Sequence, residues 1–325
     1  MSIESHLNRY ALIVGQGRSG TNWLNNLFDL SPLTFCRNEP HDFQDSPLYK
    51  LTEYRFAVHK EVSFLEQYWD DAIAHVSSHM GSRDHPIVMP KRFLYSFSVR
   101  SGLYRLLRGP KYRAVLSTVI PSLKGEEWKL PFWVGNKDRL EETIKIIKLV
   151  QCPGWGDFVL NNRPDVPVFH IVRHPGGFIN SWANRCLAGR SEAAVLAANI
   201  QRLSRIVEID TSWALRFGDF EAMGVVETEL LYWLYASETI HNAGLGKKNY
   251  HLVTYEDLAA NPQKIMRHLY TVCDLEWDES IDSALKNICR ESKKIAATWK
   301  TGLDPRVILL TEKILQQSSF VSLWG

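Results

Sequence analysis

Apolar positions near the start of the chain change their spacing around a glycine-rich segment. Residues 10–14 form an apolar run of strand length, and the apolar positions from Trp23 to Phe28 recur at helical spacing. The segment between them, residues 15–22, reads Gly-Gln-Gly-Arg-Ser-Gly-Thr-Asn. The pattern predicts a loop that joins a strand to the N-terminus of a helix. Successive backbone N–H groups and the positive end of a helix dipole make such a loop a site for a phosphate-like anion.

Three later segments also read as strands, and each is followed by a side chain that could serve a binding site. The segments are residues 34–38, 166–172 and 250–254, and the residues that follow them are Glu39, Arg173 and Tyr255. Pro175 is placed as the first residue of a helix, where its missing N–H is tolerated. Strands that alternate with helices in this way predict an α/β fold.

Other segments are predicted mainly from helical spacing. Residues 138–147 are predicted to form a helix capped by Asp138, with apolar residues on one face. Residues 186–245 are predicted to form two long helices, and a further helix is predicted to begin at Pro262. Residues 152–167 are predicted to form a long loop that bears aromatic side chains.

The glycine-rich loop departs from the loop that binds ATP or GTP. That loop reads G-x-x-x-x-G-K-[ST], with Lys on the terminal phosphates and Ser or Thr on magnesium. Here the glycines have the right spacing, but Thr21 and Asn22 follow in place of those two residues. The loop is therefore suited to an anion but lacks the usual groups for a magnesium-bound triphosphate. A glycine-rich turn without a ligand is the alternative.

The pattern G-x-x-R-S-G-T resembles the 5′-phosphosulfate loop of sulfotransferases that use 3′-phosphoadenosine 5′-phosphosulfate (PAPS). The resemblance implies a three-layer α/β sandwich with a central parallel sheet and helical insertions. It also implies that the loop and the start of its helix contact the nucleotide. These residues are Arg18, Ser19, Gly20, Thr21, Asn22 and Trp23. Asn22 stands where the family usually has a second threonine.

Three further segments match the same family. Arg173 and Ser181 match an R-D-P-R…S segment that holds the 3′-phosphate, although Gly176 stands where a second Arg often occurs. Tyr255 lies in a V-x-Y-E-D-L pattern whose Tyr lies near the adenine, and a core aromatic is the alternative. Lys300 could belong to a basic flap over the nucleotide, with a solvated charge as the alternative.

The catalytic residues are also suggested by resemblance. The triplet at 136–138, Asn-Lys-Asp, looks like the N-K-D of tyrosylprotein sulfotransferases, whose lysine contacts the transferring sulfonate, so Lys137 is the expected counterpart. Glu39 occupies the place of the general base in the tyrosylprotein and heparan-type branches, with His41 as the local rival. Arg18 and Lys137 would stabilise developing charge without a metal. A nucleotide-dependent kinase and a non-catalytic homologue that binds the product, 3′,5′-adenosine bisphosphate (PAP), are the alternatives.

Composition limits the number of domains, the class of protein and the cellular compartment that are expected. The chain of 325 residues is 45% hydrophobic and is expected to form one domain over residues 1–325, with residues 41–130 and 186–245 as helical acceptor-binding insertions. A net charge of +2 is much lower than the strongly positive charge expected of a protein that binds nucleic acid. Five widely spaced cysteines indicate a reducing compartment and no structural zinc. With neither an apolar signal core nor an apolar run long enough to span a membrane, a cytoplasmic enzyme is expected.

The acceptor is not specified by the sequence. A small molecule, a glycan, a lipid-linked compound and a peptide all stay open, as does the oligomeric state. Residues 83–113 carry many Lys and Arg side chains against a single acidic residue, Asp84, and apolar residues are interleaved with them. If helical, this segment is compatible with peripheral contact to a membrane surface or with an acidic acceptor. A surface helix that packs on the domain is the alternative.

Overall fold

A five-stranded parallel sheet forms the centre of the described structure. The computed structural model describes residues 9–31, 33–39, 118 and 143–324. The strands are β1 (Tyr10–Gly15), β2 (Thr34–Asn38), β3 (Ile144–Val150), β4 (Val168–Val172) and β5 (Tyr250–Thr254). Their order is β2-β3-β1-β4-β5, and every neighbouring pair is parallel. The sheet confirms the predicted α/β class with a central parallel sheet.

Helices follow or connect these strands throughout the described residues. They are α1 (Thr21–Phe28), α2 (Pro153–Asn162), α3 (Pro175–Trp182), α4 (Glu192–Ile209), α5 (Ala214–Phe217), α6 (Val225–Gly244), α7 (Tyr255–Ala260), α8 (Pro262–Val272), α9 (Glu279–Ile288), α10 (Ser292–Ala297), α11 (Trp299–Gly302), α12 (Pro305–Gln316) and α13 (Val321–Trp324). Short π- and 3₁₀-helical turns lie at Ala183–Leu187, Thr211–Trp213 and Phe220–Ala222. The helices predicted to begin at Pro175 and Pro262 are present, and α4 and α6 are the two long helices predicted within residues 186–245.

Both faces of the sheet are apolar, which places it between two helical layers. All six residues of β1 are buried. Ala11 and Ile13 pack with residues of α1, α8 and α9 on one face, whereas Leu12 and Val14 pack with residues of α2 and α6 on the other. This alternation produces the three-layer arrangement, since a parallel sheet is stable only when helices cover both of its faces.

Two sequence predictions were wrong. The segment predicted as a helix over 138–147 contains strand β3 instead, from residue 144 onward. Ile144 and Ile146 pack on one face of the sheet, and Ile147 and Leu149 pack on the other. A strand buried on both faces shows no polar alternation, so its spacing can imitate that of a helix.

The segment predicted as a loop over 152–167 contains helix α2. Its two glycines and its proline suggested a loop, but Pro153 occupies the first turn, where proline is tolerated. Trp155 and Val159 are buried, and a Cβ atom on Gly156 would lie 2.9 Å from Cγ1 of Ile240. Close packing against α6 therefore outweighs the low helix propensity of glycine.

Some predictions lie beyond what the structure describes. Apart from residue 118, residues 41–130 are outside the described residues, and so is the basic segment 83–113. The single domain over 1–325 and the acceptor-binding role of 186–245 stay predictions. None of the helices within the described ranges has the length and apolarity needed to cross a membrane.

The start of α3 fits closely against an aromatic side chain from α11. The ring of Trp299 stacks on that of His174, with centroids 4.3 Å apart and an interplanar angle of 15°. A Cβ atom on Gly176 would lie 2.7 Å from Cδ2 of Trp299. No real Cβ atom is tolerated at such a distance, so a larger residue at this position would displace the indole.

We expect the substitution Gly176→Ala to destabilise the protein by about 1–3 kcal/mol, because overpacking forces side chains or backbone to move. Denaturant unfolding would measure the change. Gly302→Ala is the matched control, since a Cβ atom on this residue of α11 meets Oδ1 of Asn180 at an ordinary 3.5 Å. Equal stability of Gly176→Ala and the parent protein would contradict the packing of Trp299 against α3.

Candidate active site

The side chains expected to form a site converge at one edge of the sheet. The registers align Gly15 with Val150, Asn38 with Lys148, and Val172 with Thr254. The carboxyl ends of all five strands therefore meet at the same edge, where ligands of open α/β sheets bind. The glycine-rich loop, Glu39, Arg173 and Tyr255 each follow one of these ends.

The glycine-rich loop has the backbone of an anion-binding turn. Arg18 and Gly20 have φ angles of 70° and 97°, in the left-handed region. A Cβ atom on Gly20 would lie 2.5 Å from Cδ2 of Tyr255, so glycine is required there by both strain and space. The Ser19 amide donates to the Gln16 carbonyl at 3.1 Å and closes the turn. The first amides of α1 have no partner within the helix and point out of its N-terminus.

Arg18 and Arg173 connect this loop to the next strand and helix. Arg18 Nε donates to Oγ of Ser181 on α3 at 3.2 Å. Arg173 donates through one terminal nitrogen to the carbonyl oxygen of Arg18 at 3.3 Å. The structure thus brings both predicted 3′-phosphate ligands, Arg173 and Ser181, to the same loop residue.

Arg173 is a buried cation. Only 5% of the residue is exposed, and its guanidinium lies 4.2 Å from the ring centroid of Tyr255. Burial lowers the pKa of Arg173, and Tyr255 and Glu256 oppose that change. Nε of Arg173 has no hydrogen-bond partner among the described residues. A buried guanidinium that is only partly satisfied is suited to an anionic ligand.

Trp23 and Tyr255 form an aromatic wall beside the loop. Their rings meet edge to face, with centroids 5.2 Å apart. Tyr255 is buried, so it has the character of a core aromatic, and it also contacts Arg173 and the loop. The two interpretations of Tyr255 are therefore compatible in this geometry.

Lys300 lies near the beginning of α3. It is exposed, and its neighbour Trp299 stacks on His174. Burial lowers the pKa of His174 to about 4, and the positive charge of Lys300 adds to that effect. The segment predicted as a basic flap thus lies against His174, the residue that follows Arg173, although its role as a flap stays a prediction.

Glu39 forms an ion pair that the sequence analysis missed. Its carboxylate contacts Nζ of Lys148, and its backbone N–H donates to the Lys148 carbonyl at 2.7 Å. Lys148 is fully buried, whereas the Glu39 side chain is 24% exposed. The sequence signal for this pair was a lysine near the end of an apolar strand. It was overlooked because residues 138–147 were interpreted as a helix. Lys137 and His41 lie outside the described residues.

A cavity of about 620 Å³ opens beside the glycine-rich loop. Gly17 and Arg18 line it on the loop side. The end of β3, the segment between α3 and α4, and residues of α3, α4 and α6 line the rest. The described residues around it include Gln151, Trp182, Arg190, Val195, Ala198, Arg202 and Glu229. Its volume falls in the range of sites that bind small molecules. The site therefore combines a glycine-rich loop at a helix N-terminus, two buried cations, a carboxylate and an adjoining cavity.

Solved structures similar to this chain include three bacterial sulfotransferases or sulfotransferase domains. The domain from the Synechococcus PCC 7002 olefin synthase is 15% identical, with 94% of each chain covered and a TM-score of 0.44. The domain from the curacin biosynthetic pathway is 14% identical, with 96% of this chain and 98% of that chain covered and a TM-score of 0.48. Sulfotransferase STF9 from Mycobacterium avium is 12% identical, with 98% and 78% covered and a TM-score of 0.41.

The sequence itself gives the decisive comparison. No curated protein sequence matches the chain significantly. Residues 11–279, however, match the model that describes the sulfotransferase family. This match spans most of the chain and includes the glycine-rich loop, Glu39, Lys148, Arg173 and Tyr255. The chain therefore belongs to the sulfotransferase family.

Proposed function

We propose that this protein transfers the sulfuryl group of PAPS to a hydroxyl or amine of an acceptor, with Glu39 as the general base. Sulfuryl transfer follows from membership of the family. The observation that supports the finer proposal is the meeting of Arg18, Ser181 and Arg173 at one strand-end loop, with the Glu39–Lys148 pair at the same edge.

The described residues fit a nucleotide with phosphate groups at both the 3′ and the 5′ position of its ribose. Oγ of Ser19 is fully buried and has no hydrogen-bond partner among the described residues, so an anion at the start of α1 would satisfy it. Arg173 with Ser181 would hold the 3′-phosphate, and Lys300 would approach it from α11. Trp23 and Tyr255 would contact the adenine.

Sulfuryl transfer needs a base on the acceptor side and positive charge on the leaving side. As the acceptor oxygen forms its bond to sulfur, Glu39 takes the acceptor proton. The bond between sulfur and the bridging oxygen breaks, and PAP leaves with the electron pair. Fixed donors stabilise the charge that develops there. Arg18 and the loop amides are candidates for this role within the described residues, and Lys137 stays a candidate outside them.

Lys148 positions the base in this proposal. Its ammonium is completely buried and contacts the carboxylate of Glu39 directly. Removing one partner of such a pair leaves the other without compensation. Lys148 therefore fixes the location of the Glu39 carboxylate.

Nucleotide binding tests the proposal first. PAP without magnesium should raise the Tm of the parent protein, whereas a kinase would be stabilised by Mg-ATP. Arg173→Ala should weaken PAP binding by about tenfold or more, because a hydrogen bond to a charged group is worth roughly 1.5–3 kcal/mol. Isothermal titration would measure the affinity.

The control for this substitution is Arg163→Ala. Arg163 precedes the same strand, β4, and pairs with Asp165 away from the loop. Its loss should leave PAP affinity unchanged. Unaltered PAP binding by a folded Arg173→Ala variant would remove Arg173 from the 3′-phosphate site.

Glu39→Gln should lower turnover of PAPS by at least about a hundredfold, the usual range for loss of a general base. PAP affinity should stay close to that of the parent, because the carboxylate is assigned to the acceptor side. Glu208→Gln, on the exposed surface of α4, is the control. A Glu39→Gln variant that retains most of the parent rate would move attention to His41.

Lys148→Met should lower kcat for sulfuryl transfer about tenfold or more, because the Glu39 carboxylate loses the ammonium that holds it in place. PAP affinity should stay close to that of the parent. Lys145→Met is a matched control, since Lys145 lies on the same strand and is also buried. An unchanged kcat in a folded Lys148→Met variant would show that Lys148 does not position Glu39.

A further inference from the structure

The cavity beside Arg18 has an apolar wall and a polar floor. Val150, Trp182, Val195 and two alanines of α4 provide apolar surface, and Asn199, Arg202 and Glu229 provide polar groups. The residues from α4 recur three, four and seven positions apart, so they form one face of that helix. The other end of the cavity is the glycine-rich loop, where the proposed function places the sulfuryl group.

Arg202 and Glu229 form a buried pair at the polar floor. One terminal nitrogen of Arg202 donates to Oε2 of Glu229 at 2.7 Å and to Oδ1 of Asn199 at 3.0 Å. The guanidinium also lies 3.7 Å from the ring centroid of Tyr232. Asn199 in turn donates to Oγ1 of Thr228 at 3.2 Å. These contacts hold the Glu229 carboxylate in one orientation.

The second oxygen of that carboxylate is not satisfied. The Glu229 side chain is only 2% exposed, and Oε1 has no hydrogen-bond partner among the described residues. The Gln16 amide is close enough to lower the pKa of this carboxyl, yet no hydrogen bond within 3.5 Å joins the two side chains. Burial raises the pKa of Glu229, and Arg202 opposes that change. A buried carboxylate oxygen without a donor costs free energy that a ligand donor would recover.

Charge around the cavity restricts the kind of donor. Arg18, Arg190 and Arg202 line it, and Glu229 is the single carboxylate among its described lining residues. An ammonium group would be repelled by the two arginines that Glu229 does not neutralise. A neutral hydroxyl group has no such penalty. The apolar wall favours a ligand whose middle part is apolar and whose two ends are polar.

We infer that this cavity is the acceptor site and that Glu229 is its specificity-determining residue. The acceptor is a neutral, largely apolar alcohol with a second hydroxyl group. One hydroxyl lies at the loop, where it is sulfated, and the other donates to Oε1 of Glu229. This inference rests on the proposed sulfuryl transfer and adds the substrate class to it.

Matched naphthalene probes test the class of acceptor. The parent should sulfate a dihydroxynaphthalene with a kcat/KM on the order of tenfold higher than its monomethyl ether, after correction for the two equivalent hydroxyls. The ether has the same ring and oxygen atoms but no second donor. The corresponding aminomethyl naphthol should be the poorest substrate because of its charge. Equal use of the diol and the ether, or no transfer to any probe by a protein that binds PAP, would overturn the inference.

Glu229→Gln tests the residue itself. Arg202 should attract the amide oxygen, so the amide nitrogen would face the cavity and offer a donor instead of an acceptor. The preference for the diol over the ether should then disappear or reverse, whereas a merely structural role would lower both rates equally. Retention of the parent preference would exclude Glu229 as the specificity-determining residue.

Two neighbouring alanines of α4 give a test with little risk to folding. Ala197 and Ala198 are both exposed, but of the two only Ala198 lines the cavity. Ala198→Trp should lose at least about tenfold in transfer to the diol through a higher KM, whereas Ala197→Trp should match the parent. Equal behaviour of the two variants would show that the acceptor binds elsewhere.

The same experiments distinguish failure of this inference from failure of the proposed function. PAP binding and acceptor-independent hydrolysis of PAPS report on the nucleotide site alone. If the parent protein does neither, the proposed function fails. If the parent protein binds PAP and hydrolyses PAPS, but the variants and probes do not show the stated differences in transfer rate, only the assignment of the cavity as the acceptor site fails.

Discussion

The architecture of the site depends on the burial of Arg173. Its guanidinium lies against the Tyr255 ring and donates to the backbone of the glycine-rich loop. One side chain thus connects the ends of β1, β4 and β5. Burying a guanidinium is costly unless its donors are satisfied, and Nε has no partner among the described residues. The fold therefore retains a local destabilisation at this edge that an anion would relieve, as functional sites commonly do.

A second buried cation lies on the other side of the loop. Lys148 is compensated by Glu39, whereas Arg173 is compensated mainly by a ring and a carbonyl oxygen. The two cations thus differ in how much of their hydrogen-bonding capacity is left for a ligand. One fixes a carboxylate in place, and the other keeps unused hydrogen-bonding capacity. This asymmetry is consistent with an acceptor side and a nucleotide side within a single crevice.

The sequence predicted the parts of the fold that short-range physics determines. The strand before Arg173, the helix beginning at Pro175 and the loop before Thr21 each follow from an apolar run next to glycine or proline. Strand β3 and helix α2 were missed because long-range packing determines them. The strand is buried between two others, and Gly156 is helical because α6 lies against it. Missing β3 also meant missing Lys148, whose partner Glu39 is 109 residues away in sequence. The Arg202–Glu229 pair was invisible for the same reason.

The contact between Trp299 and His174 has a consequence for the order in which the site is completed during synthesis. All five strands are present once Thr254 has been made, but the segment that packs on the start of α3 follows some 45 residues later. A chain shorter than this would contain the whole sheet and the glycine-rich loop, yet the beginning of α3 would lack its aromatic cover. A ligand that binds only the finished site stabilises only the finished chain. Nucleotide would thus act as a selective stabiliser of full-length molecules over incomplete ones.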